Sequence, residues 1–91
     1  MAHRLPSNLS PKAKKLLLTA DAGQPVRALV QVAPTADTDV VELDVAALGG
    51  TVAATMGHTG LLSCDLPAGR LGELAGISGV VYVETGEIYG S

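Results

Sequence analysis

The chain has 91 residues, a formal net charge of −3, and a hydrophobic content of 47% that includes two tyrosines but no tryptophan or phenylalanine. Its length points to one domain, and its core must be thin and built from Ala, Val and Leu, which suits a single sheet covered by helices. The acidic balance argues against nucleic acid as a partner. Phosphate neutralisation needs a broad basic face, and here lysines gather only at Lys12, Lys14 and Lys15.

No apolar run approaches the roughly 20 residues of a membrane span, so no membrane partner is expected. The start, MAHRLPSNLS, has no apolar stretch of the signal-peptide kind, and the cytoplasm is the expected compartment. Cys64 stands alone, which excludes an intramolecular disulfide and fits a small core residue.

Residues 1–24 read as an N-terminal extension carrying an amphipathic helix. Ser10 is the expected N-cap, Pro11 the first helical residue and Gly23 the stop. Leu9, Ala13, Leu16, Leu17 and Ala20 fall on one stripe, with the lysines on the other side. The main domain spans 25–91. PVRALVQV alternates and reads as a strand. TADTDVVELDVAALGG reads as a helix, capped by Thr35, Asp37 or Thr38 and ended by Gly49-Gly50. Its expected buried side is Val40, Val41, Leu43, Ala47 and Leu48. Acids at Asp37, Asp39 and Glu42 suit its positive end.

TVAATM and LLSCDL form a hairpin joined by GHTG. A short helix follows over 67–77, with Leu71, Leu74 and Ala75 inward, and GVVYVE is the last strand. From residue 25 the order is β-α-β-β-α-β. That is the α+β, ferredoxin-like arrangement: a four-stranded antiparallel sheet with two helices on one face, here with an extra N-terminal helix. Strict alternation assigns Val26, Ala28, Val30, Val52, Ala54, Met56, Leu62, Cys64, Leu66, Val81 and Val83 to the helix side. The other face takes Arg27, Leu29, Gln31, Thr51, Ala53, Thr55, Leu61, Ser63, Asp65, Val80, Tyr82 and Glu84. Leu29, Leu61, Val80 and Tyr82 there make a modest apolar patch, open for docking unless the N-terminal helix covers it.

No catalytic constellation emerges. There is no phosphate-binding loop, no dinucleotide fingerprint and no metal-spaced Cys/His set, so neither an enzyme nor a cofactor is expected. His58 reads as a turn residue. The chain then closes on GEIYGS, whose Ile88 and Tyr89 serve no evident core.

From Val26 onward the order of VRALVQV, the helix ending in GG, the hairpin GGTVAATMGHTGLLSCDLP, the short helix RLGELAGISGV and the terminal VVYVETGEIYGS resembles the propeptide-type inhibitors of subtilisin-like serine proteases. The resemblance implies an inhibitor, and folding chaperone, of such a protease. Its open sheet face docks on surface helices of the protease, and its C-terminal arm, 85–91, lies in the substrate cleft like a cleaved product. Carried over, the cleft-binding residues are Glu87, Ile88, Tyr89, Gly90 and Ser91. Ser91 lies nearest the catalytic serine and Ile88 four residues back, in an apolar pocket. The protease-docking residues are Glu84, Tyr82, Leu61 and Leu29, with Glu84 capping a protease helix. The arm departs from the family in ending on Ser91 and in carrying Gly86 where an acid is expected. Met1 and the absent signal favour a separate inhibitor over an excised propeptide. The alternative is a ferredoxin-like regulatory module that self-associates or binds a ligand, since fold alone does not decide function.

Overall fold

The computed structural model describes residues 7–56 and 59–85. Along the chain lie α1 (Pro11–Thr19), β1 (Pro25–Val32), α2 (Thr38–Ala47), β2 (Thr51–Met56), β3 (Leu61–Pro67), a 3-10 turn (Ala68–Arg70), α3 (Leu71–Ala75) and β4 (Val80–Thr85). The strands form one sheet in the order β2-β3-β1-β4, each neighbouring pair antiparallel. This small α+β fold is consistent with the expected ferredoxin-like arrangement. Inward residues of all three helices share one core with the sheet, so the helices cover a single face.

β1 and β3 carry the core. Val26, Ala28, Val30 and Val32 alternate strictly with exposed neighbours. Opposite them, Leu62, Cys64 and Leu66 are buried in register, with Ala28 facing Cys64 and Val30 facing Leu62. Burial also pushes the Cys64 thiol up from 9.0 to about 11, with a smaller contribution from the Asp65 charge.

α1 begins as the sequence implies. Ser10 Oγ accepts the Ala13 N–H at 3.1 Å, and Pro11 occupies the first turn. The helix ends at Thr19, before Gly23, because the following segment is drawn onto the 3-10 turn. There the Gly69 N–H donates to the Ala22 carbonyl at 3.0 Å and the Ala68 N–H to that of Gln24 at 2.8 Å. Just before the helix, the Val83 N–H donates to the Asn8 carbonyl and the Ser10 N–H to the Val83 carbonyl, both at 2.8 Å. Leu9 and Ala13 lie in the common core.

α2 is capped by Asp37, whose carboxylate accepts the Asp39 N–H at 3.0 Å. Its buried residues are Val41 and Val45, with Leu48 at the core margin. This corrects the expected stripe. Val40 and Leu43 are 51% and 70% exposed, and Ala47 faces solvent. The run of apolar residues is wider than one helical face; only the set at i, i+4 and i+7 from Val41 lies under the helix. Gly49, at φ 88°, stops the helix in a conformation that other residues resist.

Two β-bulges correct the assignment of faces. In β2, Val52 pairs with Cys64 but Ala54 pairs with Ser63, so Ala53 is an extra residue. Beyond it the alternation inverts. Ala54 and Met56 join the outer face, and Thr55 turns inward, where its hydroxyl donates to Glu42 Oε2 on α2 at 2.7 Å. In β4, Val32 pairs with Val80 and Gln31 with Tyr82, which leaves Val81 extra and 48% exposed while Val80 packs against the core. Strict alternation had placed Val81 inward and Val80 outward. A bulge adds one residue to one strand and shifts everything before or after it by half a pleat.

Two outcomes check this core. Val45→Ala should lower the unfolding free energy by about 2 kcal/mol, whereas Leu43→Ser should stay within about 0.5 kcal/mol, both read from urea denaturation. The Cys64 thiol should resist alkylation in the native protein at pH 8 and react on unfolding. The native thiol ionises later than the unfolded one, so its contribution to stability is complete below about pH 9 and is lost as the pH rises towards 11.

Candidate functional site: the open sheet face

The register lays out the uncovered face as three rows. One runs Met56, Leu61, Gln31, Tyr82 from β2 to β4; the next runs Ala54, Ser63, Leu29, Glu84; the third holds Thr51, Asp65 and Arg27. The first two rows combine small residues with half-exposed apolar groups: Leu29 at 38%, Met56 at 40% and Tyr82 at 36%. A surface of this kind is shallow at Ala54 and Ser63 and apolar beside them. Its geometry suits a packed protein element better than a small molecule.

Charge is confined to the margins. Arg27 and Asp65, directly opposite on β1 and β3, form a two-pronged ion pair in which Nη2 donates to Oδ2 at 3.0 Å and Nε donates to Oδ1. That hydrogen bond holds the Asp65 carboxyl below its ordinary range. Both side chains are largely solvated, so the pair orders this corner more than it stabilises the fold. Glu84 lies at the other margin, exposed beside Leu29.

Leu29, Leu61, Tyr82 and Glu84, named from the sequence, therefore share one face across β1, β3 and β4. Val80, grouped with them, does not; the β4 bulge turns it inward. Met56 and Ala54 belong to this face, and strict alternation missed them because a bulge at Ala53 leaves no mark in the pattern of residue types. α1 does not cover the face, since Ala13 joins the core on the helix side. Glu87, Ile88, Tyr89, Gly90 and Ser91 lie outside the described residues.

Elsewhere the described surface has little for catalysis. Among the described residues no group of three or more His, Cys, Asp or Glu side chains is placed to hold a metal. A groove between α2 and β2, lined by Leu43, Ala46 and Val52 with Asp39 and Glu42 at its rim, is shallow and open to solvent.

No curated protein sequence matches the chain. A family model described as "Putative peptidase inhibitor domain" matches residues 14–86, which takes in every strand of the sheet and most of α1. The match spans well over half of the chain, and the protein belongs to that peptidase inhibitor family.

Proposed function

We propose that the protein inhibits a subtilisin-like serine protease and acts in the cytoplasm. The open sheet face docks on protease helices, and residues 87–91 occupy the substrate cleft as a product-like strand. Membership of a peptidase inhibitor family implies a protease partner. The observation that carries the finer reading is the outer face itself: an apolar band of Leu29, Leu61, Met56 and Tyr82 ends at Glu84, one residue before β4 does.

Each part has a physical task. The apolar band loses water against helix side chains and supplies non-directional affinity. Glu84 meets a helix N-terminus, where unsatisfied N–H groups and the dipole favour a carboxylate. The extended arm pairs its backbone with the cleft, while Ile88 fills an apolar pocket and sets selectivity. An inhibitor of this type also presents its partner with a complementary surface during folding, which is the basis of a chaperone role.

A panel of subtilisin-like proteases and a peptide substrate test the reading. Competitive inhibition should be strong with the whole chain and mostly lost when residues 87–91 are deleted. Ile88→Asp should weaken it more than Tyr89→Ala, because a pocket would have to bury a charge. Glu84→Gln should cost roughly two- to fivefold in affinity, the size of one helix-dipole contact, without changing stability. No inhibition of any protease, together with a concentration-dependent dimer, would replace this reading with self-association through the same face.

A further inference from the structure

β4 ends the sheet order, yet its outer edge is not free. The segment before α1 runs alongside it in a parallel bridge with Leu9 opposite Val83. Val83 is held on both backbone groups, donating to the Asn8 carbonyl and accepting from the Ser10 N–H, each at 2.8 Å. The Asn8 side chain donates to the Ala75 carbonyl at the end of α3, 2.9 Å away. Leu9 is 2% exposed in the core, and Ser10 goes on to cap α1. One short segment thus ties β4, α3 and α1 together at a single point.

The placing of this tie is selective. It grips the C-terminal half of β4, close to Thr85, where the strand ends. Thr85 is itself 2% exposed, paired with Ala28, and its buried hydroxyl has no hydrogen-bond partner. An unsatisfied buried hydroxyl favours release to water, and the pairing of Thr85 with Ala28, backed by the tie two residues earlier at Val83, opposes that release. The opposite edge strand, β2, has no such cover among the described residues and is protected by its bulge.

We infer that Asn8–Ala13 is a positioning clamp: by pinning Val83 it fixes the direction in which the backbone leaves Thr85, so that the cleft-binding end meets the protease already aimed. The inference rests on the inhibitor reading above. Its advantage is pre-organisation, because an aimed strand has less freedom to lose on binding.

The test uses the whole chain, with Leu9→Ala and the milder Asn8→Ala, each also made in a chain lacking 87–91. Affinity for an inhibited protease and amide exchange at Val83 are measured. Both clamp variants should speed Val83 exchange, and Leu9→Ala should weaken binding roughly tenfold in the full chain but hardly at all once the arm is gone, a coupling between the two ends of the chain. Val45→Ala, under α2 at the far edge of the sheet, should lower stability without this loss of affinity. Equal losses with and without the arm, or the same loss with Val45→Ala, would reduce the segment to ordinary core packing and overturn the inference. Unchanged Val83 exchange in both clamp variants would overturn it independently of any protease. If Leu9→Ala does not fold, Asn8→Ala carries the comparison. A parent chain that inhibits no protease would sink the inhibitor reading itself, a result distinct from all of these.

Discussion

The pairing of β1 with β3 is the contact on which the rest of the molecule depends. With no tryptophan or phenylalanine, the chain has to build its core from small aliphatic groups that bury little area each. It does so by matching two strictly alternating strands, so that Ala28, Val30, Leu62 and Cys64 form a fully buried centre. β2 and β4 add to the two sides of this pair, and the helices close over it. Such a core covers one face of one sheet, and among the described residues no helix lies over the other.

The outer face is left as a graded surface, apolar towards Met56, Leu61 and Tyr82 and charged towards Arg27 and Asp65. A peptidase inhibitor needs a docking surface that does not compete with its own folding. On the proposed reading, the two demands fall on opposite sides of the same strands. Residues at even positions of β1 hold the fold, and those at odd positions face outward. The N-terminal segment ties into this plan at β4, since Leu9 enters the core while its neighbours occupy the strand's outer edge.

Much of the fold was legible in residue patterns. β1, β3, the Ser10 cap and the inward residues of α3 all follow from periodicity and local chemistry. The phase of α2 was less so, because Val40, Val41, Leu43 and Val45 all offer apolar side chains and only packing selects among them. The bulges at Ala53 and Val81 were not legible at all. Neither position carries a glycine or another residue that would announce an irregular strand, and each bulge arises from fitting one strand against its partner. Leu29, Leu61, Tyr82 and Glu84 could be grouped from the sequence because they lie outside the shifted stretches, whereas Met56, Ala54 and Val80 could not.

The sequence by itself determined the elements and their order, because capping, turn residues and period-two alternation act over a few neighbouring residues. Tertiary structure alone decided that Met56 and Ala54 join the open face while Val80 leaves it, and where the N-terminal segment lies. Those outcomes turn on pairings between residues as far apart as Leu9 and Val83, or Ala54 and Ser63 across a bulge. Local preference cannot specify such contacts; they are chosen by the fit of the whole core.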